Sequence, residues 1–149
     1  MSAGKAEQER APGIAWRMLF LAWLLALVST LSVLFVGEVL GQTPCLLCWY
    51  QRIAMFPLAI ILGIACLRDD AGVWRYALPL SLAGAAVALW HGLLYLGIVP
   101  KAIEPCGQGP SCISADMTIL GGFPLPVLAF GAFVAISLLL MFVKSKEIK

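Results

Sequence analysis

Long runs of apolar residues alternate with short polar connections along this chain. Four apolar segments stand out, and each is 21 to 24 residues long: Ile14–Val36, Leu46–Leu67, Tyr76–Val99 and Phe123–Val143. A helix of about 20 apolar residues crosses a hydrocarbon core of about 30 Å. Because a segment in lipid must satisfy its backbone hydrogen bonds internally, the pattern predicts four membrane-spanning helices. The first run exceeds the roughly 7–15-residue apolar core of a cleaved signal peptide, so we interpret it as a retained signal anchor.

Composition supports a membrane protein with one domain. Of the 149 residues, 62% are hydrophobic and 12% are charged, and the mean hydropathy is +0.97. These values lie outside the range of ordinary soluble domains. No internal repeat or long linker divides the chain, so we expect an all-α membrane protein, a single four-helix bundle over residues 1–149. The spacing of Ile113, Met117 and Leu120 predicts a short interfacial helix over Ile113–Leu120, in the connection before the last span.

The basic residues predict the orientation of the bundle. Eight of the ten fall in the N-terminal tail and first helix turn, the second connection and the C-terminal tail: Lys5, Arg10, Arg17, Arg68, Arg75, Lys144, Lys146 and Lys149. Only Arg52 and Lys101 fall on the other side. Since cytoplasmic loops carry the excess of lysine and arginine, both termini are expected in the cytoplasm. Nothing in the charge pattern indicates nucleic-acid binding.

Four of the five cysteines form two close pairs, and both pairs adjoin the predicted outward connections. The pairs are Cys45 with Cys48, and Cys106 with Cys112. Disulfides persist outside the cytoplasm, so both pairs can support thiol–disulfide chemistry. The fifth cysteine, Cys66, falls at the inner end of the second span, where we interpret it as a small packing residue.

The first pair has the stronger chemical signature. Pro44 suits the approach to a helix, and Cys45 and Cys48 are three residues apart, on one face of its first turns. A helix N-terminus favours the thiolate, which is the nucleophilic form of cysteine. Arg52 follows Cys48 by four residues and places a positive charge on the same face. An arginine just inside a membrane helix indicates a functional site, although it can also extend to lipid headgroups.

The second pair lies in a loop rich in glycine and proline, Cys106-Gly-Gln-Gly-Pro-Ser-Cys112. Such residues hold the loop out of helix, so we expect its cysteines to be exposed to a protein partner; the alternative is a fixed disulfide that closes a small loop. The chain's one histidine, His91, lies near the predicted depth of Arg52, where it either bonds a neighbouring carbonyl or contacts a buried headgroup. No tetrahedral ligand set is obvious, so no metal site is predicted.

These residues together resemble a known family. The run Pro44-Cys-Leu-Leu-Cys-Trp-Tyr-Gln-Arg52, the paired-cysteine loop and Gly122-Phe-Pro-Leu-Pro-Val127 are similar to the disulfide bond formation protein B family, over nearly the whole chain. The resemblance implies a multi-pass thiol:quinone oxidoreductase of the bacterial cytoplasmic (inner) membrane. Its partners would be a thioredoxin-fold disulfide donor outside the cytoplasm and the quinone pool, ubiquinone or menaquinone. The short spacing of the second pair resembles the shorter branch of the family, and Gln51 stands where an acidic residue often precedes the arginine.

The resemblance also implies a role for each site residue. Cys106 would form the mixed disulfide with the partner, and Cys112 would resolve it. Electrons would then pass to the first pair, where Cys48 beside Arg52 would be the thiolate that meets the quinone ring. His91 would be a second contact of the quinone.

Two other functions remain open from the sequence. A quinone-linked reductase of the vitamin K epoxide reductase type also has four helices and two cysteine pairs, but there the exposed loop pair precedes the C-x-x-C motif. The other alternative is not an enzyme: a membrane scaffold with two structural disulfides. Alkylation trapping separates it, because structural disulfides would not cycle when quinone is added or withdrawn.

The basic asymmetry gives a topology prediction. A reporter that is active only outside the cytoplasm should be silent when it is fused after Lys149, because the C-terminal tail is expected inside. The same reporter inserted after Lys101 provides the positive control. Activity of the C-terminal fusion would reverse the predicted orientation and place both cysteine pairs on the reducing side.

Overall fold

The computed structural model of the protein describes residues 13–100, 103, 112, 118–119 and 122–147. The helices are α1 (Ile14–Leu34), α2 (Leu46–Arg68), α3 (Trp74–Tyr95) and α4 (Leu125–Glu147). Each belongs to a helical segment long and apolar enough to cross a membrane. The predicted fold class, a four-helix membrane protein, is therefore confirmed.

Local chemistry at the helix ends accounts for the differences from the predicted bounds. α1 continues into one π-helical turn, Phe35–Val39, so the first span is longer than expected. α3 is preceded by a 3₁₀ turn at Ala71–Val73 and ends at Tyr95 rather than Val99. Gly97 has a φ of 72°, a left-handed backbone that α-helix cannot continue through.

A short hairpin replaces part of the predicted interfacial helix. Strand β1 (Thr118–Ile119) pairs antiparallel with β2 (Phe123–Pro124), with Ile119 opposite Phe123. The prediction of helix is wrong for Thr118 and Ile119, and the other residues of that segment lie outside the described part of the chain. The hairpin also delays the start of α4 to Leu125, because Phe123 and Pro124 pair as strand. The glycine pair before Phe123 was the available sequence signal, since glycine favours a turn over an interfacial helix.

The four helices pack in a ring, each against the next, with α4 returning to α1. The end of α1 lies beside the start of α2, and the end of α3 lies beside the starts of α2 and α4, so successive helices run antiparallel. The connections after α1 and after α3 therefore lie at one end, which we call the cysteine end because Cys45 and Cys112 belong to it. The core between the helices is built largely from alanine and leucine, including Ala22, Leu58 and Ala88. Small residues let helices approach closely in lipid, where apolar burial gives little drive for association.

Packing between α3 and α4 combines a close approach with buried hydrogen bonds. The Ser81 hydroxyl donates to the Phe133 carbonyl at 3.0 Å, and its oxygen lies 2.9 Å from the Ser137 hydroxyl oxygen. Gly84 faces the Phe133 ring, and a Cβ added there would overlap it. These hydrogen bonds pair the buried serine hydroxyls with protein groups, and they fix the register of α3 against α4.

Aromatic and basic side chains mark the end opposite the cysteines. The Lys144 ammonium lies 4.9 Å from the centre of the Trp74 ring, and the Trp16 indole N–H donates to the Cys66 carbonyl at 3.1 Å. Cys66 is partly buried against the core. These contacts support the interpretation of Cys66 as a packing residue, far along α2 from the first pair.

We expect Gly84→Ala to destabilise the bundle. The added methyl group would force the Phe133 ring or α4 to move, and overpacking of a close-packed core costs about 1–3 kcal/mol. The free energy of unfolding, measured by denaturing-detergent titration, should fall by that amount. Gly131→Ala on α4 is the matched control, because no atom lies within 4 Å of a Cβ built there. Equal stability of the two variants would show that α3 and α4 are less tightly packed than described.

Candidate active site

The first cysteine pair forms the N-terminus of α2. Cys45 is the N-cap residue, and the backbone N–H of Cys48 donates to its sulfur at 3.4 Å. The two Sγ atoms lie 2.9 Å apart, and both residues are free thiols. Cys45 is buried, whereas Cys48 is partly exposed. The positive end of the helix dipole therefore acts directly on both sulfurs.

Cys45 is the more acidic position in this dithiol state. Its hydrogen bond with the Cys48 sulfur, reinforced by His91, lowers its pKa to about 4. Burial opposes the charged form but does not outweigh these interactions. A thiol with this pKa is a thiolate at neutral pH, and it is also a good leaving group in thiol–disulfide exchange.

His91 connects the first pair to the connection after α3. Its side chain is 1% exposed. Its Nε2 lies 3.2 Å from the Cys112 carbonyl oxygen and 3.9 Å from the Cys45 sulfur. Its Nδ1 lies 3.0 Å from the side-chain nitrogen of Gln51. Both ring nitrogens are thus engaged, and the ring joins α2, α3 and the loop at the cysteine end.

Cys112 is buried and disulfide-bonded. It packs with Cys45, Leu47 and Leu94 in a small apolar cluster at the cysteine end. The expectation that the loop exposes its cysteines is therefore wrong for Cys112, because this residue packs against the bundle and its carbonyl bonds His91. Cys106, the other cysteine of the predicted pair, lies outside the described residues.

A cavity of about 420 Å³ opens on the other side of the first pair, between α1, α2 and α4. Cys48, Gln51 and Arg52 form its polar wall, and apolar side chains form most of the remainder, among them Met55, Leu128 and Phe133. His91 is not among the described residues that line it. The prediction that His91 contacts a quinone stays a prediction, since in this conformation the ring faces Cys45 and Cys112.

Arg52 is held against α1 with part of its guanidinium unpaired. One terminal nitrogen donates to the Val33 carbonyl at 3.3 Å, and the group lies 5.3 Å from the centre of the Trp49 ring. A Cβ at Gly37 would come within 3.1 Å of the same nitrogen, so the π-helical turn leaves room for the arginine. Arg52 therefore turns toward the bundle, which disfavours the alternative in which it extends to lipid headgroups.

Two buried polar atoms beside the cavity have no hydrogen-bond partner within the described part of the chain. They are the Arg52 Nε and the Thr30 hydroxyl oxygen. Unpaired buried polar atoms are costly, so they indicate a place where a ligand with acceptor atoms would bind. An apolar cavity with these groups and a thiol at its wall fits a quinone, which is a flat apolar ring with carbonyl acceptors.

The structure brings together five of the six predicted site residues at the cysteine end: Cys45, Cys48, Arg52, His91 and Cys112. It adds residues that the sequence reasoning did not place in the site. Thr30 and Gly37 on the first span gave no sequence signal, whereas Gln51 was noted only as a departure from the family pattern and not as a site residue.

Three side chains of the kinds that bind metals lie close together at this site, although the sequence predicted no metal site. Cys45, Cys48 and His91 offer three ligand-type atoms within 4.8 Å of one another. This donor set suits zinc chemically. The His91 nitrogens are however already engaged by Gln51 and the Cys112 carbonyl, which favours thiol chemistry at this position.

Comparisons with known proteins agree with this site. The sequence profile described as "Disulfide bond formation protein DsbB" matches residues 15–143. A "Probable disulfide formation protein" of Metapseudomonas resinovorans is 56% identical over 135 residues, which cover 90% of this chain and 94% of that protein. "Disulfide bond formation protein C" of Bacillus subtilis (strain 168) is 36% identical over 129 residues, covering 87% and 94% of the two chains. No solved structure gives a significant match.

The low pKa of Cys45 predicts a distinctive alkylation profile. In the reduced protein, the rate of Cys45 alkylation by iodoacetamide should be nearly constant from pH 8 to pH 6 and should halve only near pH 4, because the thiolate persists down to its pKa of about 4. An ordinary thiol, with a pKa of about 8.5, would lose reactivity throughout that range. Mass spectrometry after timed quenching measures each site separately.

Cys48→Ala should move the Cys45 midpoint to higher pH, since it removes the hydrogen bond that lowers the pKa most. Cys66→Ala is the control, because Cys66 lies at the far end of α2. A Cys45 midpoint near the ordinary thiol value in the unsubstituted protein would contradict the described geometry.

Proposed function

The chain belongs to the disulfide bond formation protein DsbB family, and from that premise we propose that it transfers electrons from an extracytoplasmic dithiol protein to a membrane quinone. The coarser function, disulfide formation by a multi-pass membrane oxidoreductase, follows from the family and the four spans. The proposal adds a dithiol protein as the electron donor, a quinone as the electron acceptor and the bacterial cytoplasmic membrane as the location. We place the protein in the bacterial cytoplasmic membrane with both termini inside.

The observation that carries the proposal is the wall of the cavity. Cys48 and Arg52 face the same apolar space, and the Arg52 Nε and Thr30 hydroxyl have no protein partner among the described residues. A quinone bound there would supply an acceptor for two electrons and two protons. Arg52 would bind a carbonyl oxygen of the ring, and Cys48 would be the sulfur next to it. The apolar wall would exclude water from the sulfur.

The two pairs would act in sequence by thiol–disulfide exchange. A reduced donor would attack Cys106 of the loop disulfide, which forms the mixed disulfide and releases Cys112 as a thiolate. The donor's second thiolate, rather than Cys112 as the resemblance implied, would resolve it, because attack by Cys112 would return the donor to its reduced state. The loop pair, now a dithiol, would then reduce the Cys45–Cys48 disulfide. One disulfide is consumed and one formed at each step, so two electrons and two protons move inward each time.

The packing supports Cys45 and Cys112 as the sulfurs that meet between the pairs. Both are buried in one cluster, and both approach the same nitrogen of His91, one through its sulfur and the other through its carbonyl. Attack on Cys45 would release Cys48 as the thiolate, beside the cavity and Arg52. This order would deliver the electrons to the sulfur that faces the quinone.

The direct test uses purified protein, reduced thioredoxin as the dithiol probe and a soluble ubiquinone analogue. We expect one quinol for each thioredoxin disulfide formed, with loss of activity in Cys48→Ala. Cys66→Ala is the matched control and should retain activity, because Cys66 is a packing residue at the other end of α2. Thioredoxin oxidation without quinone reduction would refute the proposed acceptor.

Arg52→Ala should lower quinone affinity by roughly one to two orders of magnitude. A hydrogen bond to a charged group is worth about 1.5–3 kcal/mol, and the substitution removes the guanidinium from the cavity wall. Arg52→Lys should recover only part, since it keeps the charge and loses the planar fork. The quinone KM measures the effect, and Arg68→Ala, at the last turn of the same helix, is the control. Unaltered quinone kinetics in Arg52→Ala would mean that the quinone binds elsewhere.

A further inference from the structure

Gln51 is a buried polar residue to which the relay described above gives no role. Its side chain is 9% exposed, lies between the cavity and the histidine, and has its amide nitrogen 3.0 Å from the His91 Nδ1. A buried amide in a membrane helix is costly unless it is hydrogen-bonded. Its position therefore requires a partner, and His91 provides it.

The contacts of His91 determine where its proton lies. A carbonyl oxygen can only accept, so the Nε2 that faces the Cys112 carbonyl at 3.2 Å must carry a hydrogen. The Gln51 amide nitrogen can only donate, so the Nδ1 that faces it must be unprotonated. The two bonds together select one neutral tautomer, with its N–H on the side of Cys112 and Cys45.

We propose that Gln51 is a positioning residue for the exchange between the two cysteine pairs: its amide holds His91 in the Nε2–H tautomer, and this one N–H keeps the Cys112 backbone beside the Cys45 sulfur. The inference rests on the proposed relay and adds to it the residue that aligns its internal step. Gln51 acts through His91 and does not touch the reacting sulfurs.

The N–H has a defined task in that step. When the loop dithiol reduces the first pair, a sulfur–sulfur bond forms within the loop pair and the Cys45–Cys48 bond breaks. The two protons of the loop thiols are transferred to the departing thiolates or to solvent. Cys48 leaves first, and Cys45 leaves when the second loop thiolate closes the loop disulfide. The Cys45 sulfur then lies 3.9 Å from the His91 Nε2, whose N–H stabilises the negative charge that develops on it.

Because Gln51 is a neutral amide, replacing it with a carboxylate should change how the exchange between the two cysteine pairs depends on pH. The ionisable or charged groups described around the Cys45–Cys48 pair are Arg52 on α2 and His91 and Tyr95 on α3, with no carboxylate among them. A carboxylate in place of the amide would instead accept from Nδ1–H. Neutral His91 would then carry its proton on Nδ1, and Nε2 would lose the hydrogen that bonds the Cys112 carbonyl.

Gln51→Glu therefore gives a test that a purely structural role would not affect. Internal transfer should approach the original rate toward pH 5.5, because a ring that carries both protons keeps Nε2–H whichever nitrogen the carboxylate holds. It should fall about tenfold toward pH 8.5, because the neutral ring then has its hydrogen on Nδ1 and none on Nε2. The unsubstituted protein should show no such fall, since its neutral tautomer already has Nε2–H.

The measurement uses quinone-free protein with both pairs oxidised, mixed with reduced thioredoxin and quenched by acid and alkylation at set times. Reduction of Cys45 and Cys48 is followed from pH 5.5 to pH 8.5. Tyr50→Glu is the control for added charge, because it places a carboxylate on the exposed side of the same helix turn, outside the cavity wall and away from His91. It should leave the dependence of the rate on pH unchanged.

Gln51→Met, which keeps the length and removes both hydrogen-bonding groups, should slow transfer about tenfold at every pH and raise the pH midpoint of Cys45 alkylation. If that variant does not fold, the nearly isosteric Gln51→Glu still decides the question. A Gln51→Glu profile that matches the unsubstituted protein, or a Gln51→Met variant with unchanged transfer and alkylation, would overturn the inference.

The alkylation arm separates this inference from the proposed function. Cys45 alkylation in the reduced protein needs neither donor nor quinone, so it reports the His91 contact by itself. If the unsubstituted protein transfers no electrons to Cys45–Cys48, the relay fails. If the unsubstituted protein transfers electrons but the Gln51 variants match it in both transfer rate and Cys45 alkylation, only the positioning role of Gln51 fails.

Discussion

The start of α2 at Cys45 is the constraint on which the rest of the site depends. The sulfur of Cys45 caps the helix through the Cys48 backbone N–H, so both sulfurs lie at the positive end of the helix dipole. From that fixed start, the helical repeat places Arg52 one turn below Cys48 and Gln51 beside it. One helix end therefore supplies the thiols, the cation next to them and the amide that reaches His91.

α2 thus separates two environments around one pair of sulfurs. On one side Cys48 and Arg52 border an apolar cavity with two polar atoms that have no partner among the described residues, and on the other Cys45 meets His91 and the buried loop residue Cys112. The two sulfurs of a C-x-x-C motif are often described together, yet here each has its own neighbours. In the proposed relay, electrons would arrive at Cys45 and depart from Cys48.

The surrounding bundle supports this arrangement by satisfying polar groups internally. Lipid supplies no hydrogen bonds, so His91 and Gln51 at the cysteine end and Ser81 with Ser137 nearer the middle must find protein partners. The close contact of Gly84 with Phe133 brings α3 against α4. His91 lies on that same α3, so helix packing contributes to the position of its ring.

Sequence alone determined the four spans, because segments of that length and apolarity must form helices to satisfy their backbone hydrogen bonds in lipid. It also determined the relative positions of Cys45, Cys48 and Arg52, because the helical repeat that relates them is local. It did not determine the contacts of His91, whose partners Gln51 and Cys112 are 40 and 21 residues away along the chain. The burial of Cys112 and the position of Thr30 beside the cavity were equally invisible. The hairpin at Thr118–Ile119 had a signal in the glycine pair before Phe123, but its pairing was not predicted. Each depends on how separate helices and loops meet, and hydrophobic periodicity specifies which residues face inward without specifying which inward residues touch.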